Sequence, residues 1–403
     1  LYEEPKVTTA TMPTTPVSVA ARTAEDAAPS AASEGVLRAR AAHHDEGTEH
    51  HPVPAPRVLL NDLPLDGPAR ETVTRGRAEV RAALRGEDPR PLVVVGPCSL
   101  HDPEAALEYA DRLAAVRRRL GDALCLVMRA YLEKPRTTIG WRGLLYDPHL
   151  DGSLDMEAGL RLAREVLLAI NARGVPVASE VLDPATPAYY ADLLAFASIG
   201  ARTAESQPHR ALASGLSLPV GIKNGTQGAV QTAVDALIAA REPHSYLGMD
   251  ADGRCSMVRT RGNRDGALIL RGGRATGPNY DAASVADAAA RLREVGLNPA
   301  VLVDCSHANS GYEPARQVEI CREVLLRQRK ASGDGASSPL RGVLLESHLY
   351  PGKQGLPTDL SKDGGEALRV SLRYGVSVTD ACLGWDDTEA LLEEVAAARY
   401  CAS

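Results

Sequence analysis

Residues able to bind or move charge recur at the ends of short apolar runs in this chain. Cys98 with Ser99, Arg129, Glu180, Arg202, Lys223 with Asn224, Arg271, Asp304 to His307 and Glu346 to His348 all stand in such places. Arg129, Lys134, Arg136, Arg202, Lys223 and Arg271 supply six cations in a protein whose net charge is -7. A guanidinium fork matches phosphate or carboxylate with two bonds, and an ammonium serves as a compact charge or proton donor, so the set predicts an anionic substrate. An isolated arginine is more simply explained by a neighbouring carboxylate. Cys98, His307, Glu346 and Asp380 make a second constellation, whose thiolate, imidazole and two carboxylates suit a divalent Mn, Fe, Co or Zn ion.

The runs that carry these residues are 92–98, 125–132, 176–182, 196–202, 219–225, 266–273, 300–307 and 342–348. Helical periodicity marks 103–120, 154–173, 281–295, 313–330 and 386–399, and a further helix over 69–85 precedes the first run. Near-continuous apolar strands are buried on both faces, so eight of them separated by helices predict an α/β fold, a closed parallel (β/α)8 TIM barrel. In that architecture the C-terminal strand ends form one mouth, which would bring the polar strand ends together. Two connections are longer than a barrel needs: 133–153 after the second strand, and 242–265, which reads as a hairpin-like insert between strands 5 and 6.

Charged residues of both signs make up 24% of the chain, without the basic excess of a phosphate-backbone binder, which argues against a nucleic-acid partner. Seven cysteines without CxxC spacing fit reduced thiols, and no apolar stretch approaches the length of a membrane span, so a cytoplasmic location is expected. Only six of the 45 basic residues are lysine, which makes Lys134 and Lys223 conspicuous inside barrel-like segments. Residues 1–56 are rich in Ala, Thr, Ser and Pro and are expected to be a disordered tail, with the barrel occupying 57–403. His43, His44, His50 and His51 lie in that tail and read as solvated polar residues rather than as a metal site.

The segments GPCSLHDP (96–103), EKPRTTIGWRGL (133–144), IGARTAESQ (199–207), PVGIKNGT (219–226), ILRGG (269–273), DCSHANS (304–310), ESHL (346–349) and TDACLGWDD (379–387) resemble the type I 3-deoxy-D-arabino-heptulosonate 7-phosphate synthases, of the phenylalanine- or tyrosine-sensitive kind. The likeness covers about residues 58–398, and the KPRT run separates this family from the related octulosonate 8-phosphate synthases. It implies a transferase that condenses phosphoenolpyruvate with erythrose 4-phosphate and water, giving the heptulosonate phosphate and inorganic phosphate in the shikimate pathway. It further implies that Cys98, His307, Glu346 and Asp380 hold the metal. Arg129, Lys134, Arg202, Lys223 and Arg271 would hold phosphoenolpyruvate, with the Ala201 amide and Glu180 beside them, and Arg136 with Thr137 would take the sugar phosphate.

In that chemistry Lys134 is the expected proton donor to the new alkoxide, and Glu180 and His307 both remain candidates for handling the water proton. A homodimer or homotetramer is implied, as is an aromatic amino acid inhibitor, with Asp183, Pro187 and Ser217 matching positions of the inhibitor pocket. A duplicated enzyme of secondary metabolism would keep the same chemistry. A different metal-dependent barrel aldolase would share the metal ligands but lack the KPRT run and the phosphoenolpyruvate cradle. Cys382 lies two residues beyond Asp380, roughly 7 Å of extended chain, which puts an oxidative disulfide with Cys98 within expectation.

Overall fold

Alternate residues of each apolar run face two different cores, and that division builds the protein. The computed structural model describes residues 48–329 and 338–400. Its strands are β1 (Leu92–Gly96), β2 (Cys125–Arg129), β3 (Val177–Glu180), β4 (Phe196–Ile199), β5 (Val220–Lys223), β6 (Ser245–Met249), β7 (Cys255–Arg259), β8 (Gly266–Leu270), β9 (Val301–Asp304) and β10 (Leu340–Glu346). Eight of these close a barrel in the order β1-β2-β3-β4-β5-β8-β9-β10, each pairing with its neighbours in parallel. The remaining two, β6 and β7, pair antiparallel as the hairpin expected before the sixth barrel strand.

Leu92, Val94, Cys125, Val127, Phe196, Ile269, Leu302 and Leu344 fill the barrel interior, while Val93, Val95, Leu126, Met128, Val301, Val303, Val343 and Leu345 pack outward against the helices. The helix Gly67–Arg85 joins the inner core through Val80, Ala83 and Leu84, so it plugs one end of the barrel. Phe196 is the only phenylalanine of the chain and is 1% exposed. Its ring occupies the space that a side chain at position 221 would need, since a Cβ added to Gly221 would overlap both Phe196 and Ile269.

The helices Pro103–Leu120, Met156–Ala172, Ala282–Glu294 and Trp385–Tyr400 lie where the periodicity placed them, and three begin with an aspartate cap, Asp102, Asp155 and Asp281, accepting from backbone N–H groups of the first turn. Within 313–330 the helix starts only after Pro314, at Arg316, and widens to a π-helical turn over Arg322–Gln328. The connection after β10 carries two short helices, Leu360–Asp363 and Glu366–Ser371, that apolar periodicity did not mark because neither buries a residue. Among the described residues no helix is long and apolar enough to cross a membrane.

Of the expected tail, residues 1–47, with His43 and His44, lie outside the described residues. Among the described residues the first helix is Pro56–Asp62, just before which Tyr189 Oη donates to Pro54 O at 2.8 Å; Arg57 then reaches Asp252 in the hairpin turn at 2.5 Å. His51 stands 3.3 Å from Glu49, both exposed.

The long segment after β2 is tied down by one buried carboxylate. Glu133, fully buried, accepts from Thr186 Oγ1 at 2.7 Å, Tyr190 Oη at 2.9 Å and the Asp183 amide at 3.0 Å, fastening residues 133–134 to the loop after β3. Burial, only partly opposed by these three donors and assisted by the Asp183 charge, pushes the Glu133 carboxyl up to about 7.

Truncating Phe196→Ala is expected to cost about 3–5 kcal/mol, because the barrel wall cannot collapse onto the void, and a denaturant titration measures it. For Glu133 the folded value lies above the ordinary 4.5, so its stabilising contribution is complete in acid and lost as pH rises through about 7. Glu133→Gln, which stays neutral, should therefore flatten the fall in melting temperature across that window; parallel curves for the two proteins would contradict the assignment.

Candidate active site

Going round the mouth, the strand ends divide into two arcs of opposite charge. Strands β9, β10 and β1 are contiguous and present His307, Glu346 and Cys98, with Asp380 returning from the connection after β10. Strands β2, β3, β4, β5 and β8 complete the ring and present Arg129, Glu180, Ala201 with Arg202, Lys223 and Arg271. One cavity of about 280 Å3 opens between them, and it is lined by Arg129, Lys134, Arg136, Thr137, Glu180, Ala201, Arg202, Lys223, Arg271, His307 and Asp380.

Within the first arc, ligand atoms of Cys98, Glu346 and Asp380 all lie within 4.8 Å of one another, and His307 Nε2 stands 3.9 Å from Glu346 Oε1. The histidine ring is oriented from behind. Its Nδ1 is 2.6 Å from Ser306 Oγ and 3.0 Å from Asp304 Oδ2, which leaves Nε2 toward the site. His307 also adopts a φ of 55°, a strained backbone that a non-glycine residue accepts only where the surroundings enforce it. Asp304 is 1% exposed, and although burial opposes its charge, His307, Lys223 and Ser306 hold its carboxyl well below the usual range. The Glu346 main chain is clamped by Gln317, whose side chain accepts from Glu346 N at 2.8 Å and donates to Glu346 O at 3.1 Å.

Asp380 reaches the strand ends because the connection after β10 folds back on itself: Ser347 pairs with Leu383, Gly352 with Cys382 and Lys353 with Ser377. Lys134 Nζ then sits 2.6 Å from Asp380 Oδ2 and 2.9 Å from Cys98 Sγ. Burial disfavours this ammonium, but Cys98, Asp380 and Glu346 outweigh it and raise its pKa; the same contact holds Asp380 below the usual carboxylate range despite its own burial. Cys98 and Cys382 are both free and buried thiols.

The cationic arc is built on tight backbone. A Cβ at Gly200 would overlap the Glu180 carboxylate, so the glycine is what lets that carboxylate lie against the β4 loop. Arg129, 2% exposed, donates from Nη2 to Glu346 Oε1 at 2.9 Å and stacks on Tyr131 with Cζ 3.5 Å from the ring centroid, while its Nη1 has no partner among the described residues. Lys223 Nζ lies 3.1 Å from Asp304 and 3.9 Å from Glu180. Arg271, 7% exposed, makes no side-chain hydrogen bond or ion pair with a described residue. Its main chain is fixed by Asn224, which accepts from Arg271 N at 2.8 Å and is joined through Asn279 to Asn309.

In the segment after β2, the Lys134 amide donates to Arg142 O at 2.8 Å and Arg136 Nε to Trp141 O at 2.7 Å, closing a loop that leaves the Arg136 Nη groups to the cavity. Arg202 spans to this loop, donating to Thr137 Oγ1 at 3.0 Å. Sequence reasoning passed over Tyr131, Thr226, Arg274 and Tyr312, which also line the cavity. Tyr131 reads as a core aromatic within an apolar run, and Arg274 falls one residue past the end of the run 266–273. Asp183 donates its amide to Glu133 and accepts from Tyr146 Oη at 3.0 Å, and Pro187 is buried at the start of a short helix. Ser217 lines a separate cavity with Arg81, Tyr246 and Arg259, which neither Asp183 nor Pro187 enters.

Residues 71–393 match the model of the DAHP synthetase I family. The chain is 49% identical over 341 residues to the Phe-sensitive phospho-2-dehydro-3-deoxyheptonate aldolase of Escherichia coli, covering 85% of this chain and 93% of that protein. It is 45% identical over 348 residues to the Tyr-sensitive enzyme of the same organism, covering 86% and 93%. The solved structure of phospho-2-dehydro-3-deoxyheptonate aldolase from Francisella tularensis superimposes with a TM-score of 0.81 at 41% identity, over 88% of this chain and 99% of that one. With barrel, mouth and sequence in agreement, the chain belongs to the DAHP synthetase I family.

Proposed function

We propose that the cavity between the two arcs is where this chain performs the reaction of its family, and that the residues named above divide the work between two substrates. The reaction is the aldol-type condensation of phosphoenolpyruvate with erythrose 4-phosphate and water, releasing phosphate, the first step of the shikimate pathway. The observation that carries the assignment is the pair of buried guanidiniums, Arg129 and Arg271, with donors that no described protein group satisfies. Arg271 has no carboxylate among the described residues and Arg129 keeps one free nitrogen beyond its pairing with Glu346; buried donors of this kind call for an anion, and phosphoenolpyruvate brings both a carboxylate and a phosphate.

Arg129, Lys223, Arg202, Arg271 and the Ala201 amide hold phosphoenolpyruvate and fix which face of its enol carbon points across the cavity. Arg136 and Thr137 hold the phosphate of erythrose 4-phosphate on the loop after β2, and the Arg202 to Thr137 bond sets the two anions side by side. Cys98, Glu346 and Asp380 fit a divalent cation by donor chemistry and proximity, and His307, its Nε2 3.9 Å from Glu346 and its ring oriented by Asp304, would complete the set. When bound there, such an ion would supply Lewis acidity to the aldehyde oxygen, the oxygen that gains negative charge as C3 of the enol attacks.

Lys134, an ammonium held protonated at this spot, donates to the alkoxide oxygen as the carbon-carbon bond forms. Water then adds at C2, and Glu180, in the cavity beside Lys223 and not needed as its main counter-ion, is placed to take its proton. Arg202 and Arg271 stabilise the phosphate as the C–O bond breaks. The ion is Mn, Fe, Co or Zn, all compatible with this mixed sulfur, nitrogen and oxygen set.

Relatives described as Tyr-sensitive and Phe-sensitive support inhibition by an aromatic amino acid. Asp183 and Pro187 flank Thr186, and through Glu133 that segment is fastened to the residue before Lys134, so a ligand that moves 183–187 would move the catalytic loop. Ser217, in its separate cavity beside the hairpin, shares no cavity with that segment.

Chelation is expected to abolish turnover, and His307→Ala or Glu346→Ala to do the same with the circular-dichroism spectrum preserved; full activity in metal-free protein would refute the metal assignment. Arg136→Ala should raise the KM for erythrose 4-phosphate by about tenfold or more while leaving that for phosphoenolpyruvate near wild type, because one anchor of one substrate is lost. Equal rises would place Arg136 elsewhere.

A further inference from the structure

One cation of the mouth has no role in the scheme above. Arg274 lines the cavity, is exposed, and makes no side-chain hydrogen bond or ion pair with a described residue. Its backbone, in contrast, is closely held. Gly273 and Gly277 exchange two hydrogen bonds of 2.9 Å across the turn, Arg274 N donates to Thr226 O at 3.0 Å, and Ala275 N donates to Gln227 O at 3.3 Å. The loop after β8 thus lies directly on the loop after β5, and a Cβ at Gly273 would overlap the backbone of Gln227 and Gly228. A rigid turn that presents one free guanidinium to a cavity is arranged for a ligand, since ordering that loop without one gains nothing electrostatic.

The place in the ring decides which ligand. Strand β8 is the fourth strand from β2 in either direction round the eight, so Arg274 and Arg136 approach the cavity from opposite sides. Opposite origins favour different anions for Arg274 and Arg136. The neighbours of Arg274 are Lys223 and Arg271, at the ends of the two strands whose loops it bridges, and both are buried while Arg274 is exposed. The three cations line one cavity, two of them buried and the third open to solvent.

We propose that Arg274 is the outer residue of the phosphate site on the phosphoenolpyruvate side: it captures the phosphoryl group as that substrate enters and holds inorganic phosphate dianion as it leaves. The proposal rests on the assignment of Arg271 and Lys223 to phosphoenolpyruvate. An exposed guanidinium exerts most of its effect on encounter and on product residence, so Arg274 is a binding residue and kcat need not fall.

The test is steady-state kinetics of the metal-loaded enzyme for Arg274→Ala and Arg274→Lys, with Arg271→Ala and Arg136→Ala as references. Arg274→Ala should raise the KM for phosphoenolpyruvate and the inhibition constant for inorganic phosphate together, by about five- to tenfold, with the KM for erythrose 4-phosphate unchanged. Arg274→Lys should recover most of both effects, and both should shrink as ionic strength rises. Unchanged phosphoenolpyruvate KM and phosphate inhibition in Arg274→Ala, alongside a large loss in Arg271→Ala, overturns the proposal alone. A matching rise in the KM for erythrose 4-phosphate also overturns it. Should Arg271→Ala itself leave the phosphoenolpyruvate KM unaltered, the underlying assignment fails and the proposal falls with it.

Discussion

Positive charge is costly in the dry mouth of a barrel unless negative charge meets it, and apart from Arg271 the buried cations of this site are each met by a carboxylate. An uncompensated buried ion costs several kcal/mol, a large share of the 5–15 kcal/mol that holds a typical domain folded. Arg129 is answered by Glu346, Lys134 by Asp380 and Lys223 by Asp304. Each of these carboxylates has a second task. Glu346 and Asp380 also belong to the cluster proposed to hold the metal, and Asp304 orients His307. The acids that make the cationic arc tolerable are thus the ones that build the anionic arc, and removing any of them unbalances both.

Much of this architecture was legible in the sequence because the barrel strands are buried on both faces. Continuous apolar runs such as 92–95 and 342–345 admit few other readings, and the reactive or charged residues that follow them, Cys98 and Glu346, recur at strand end after strand end. The residues proposed for metal and substrate could be gathered at one mouth because parallel strands all end on the same side. Pairing between side chains was not legible. Nothing in the spacing says that Glu133 fastens to Thr186 and Tyr190, or that Gln317 clamps the main chain of Glu346, since these contacts join residues far apart in sequence. The two short helices within 360–371 were invisible for the opposite reason: with no buried residue they have no apolar period to detect.

The chain's small residues mark where backbone had to pass close to something else. Gly200 makes room for a carboxylate and Gly221 for an aromatic ring, two substitutions that would be felt at opposite levels of the barrel. Phe196 and Gly221 belong to the plugged interior, whose packing keeps the strands in register. Glu180 and Gly200 belong to the mouth. The link between the levels is β3, β4 and β5, where a shift of register by one residue would turn Glu180 and Lys223 out of the cavity and their neighbours into it.

The division of the mouth into arcs also constrains how the two substrates meet. A condensation needs an electron-rich carbon on one side and a polarised carbonyl on the other, and the ring supplies that asymmetry by strand order alone. Phosphoenolpyruvate, a polyanion, is drawn to the arc of β2 to β8; the aldehyde oxygen, which gains negative charge, is best placed against the arc where a cation fits among Cys98, Glu346 and Asp380. Lys134 stands at the seam, on the loop after β2 yet bonded to Cys98 and Asp380 across it. In the proposed scheme, a proton donor at that seam reaches the alkoxide oxygen from the side of the acidic cluster. Arg129, reaching from β2 to Glu346 on β10, spans the seam from below, so the relative position of the arcs is fixed by the charges that the chemistry uses.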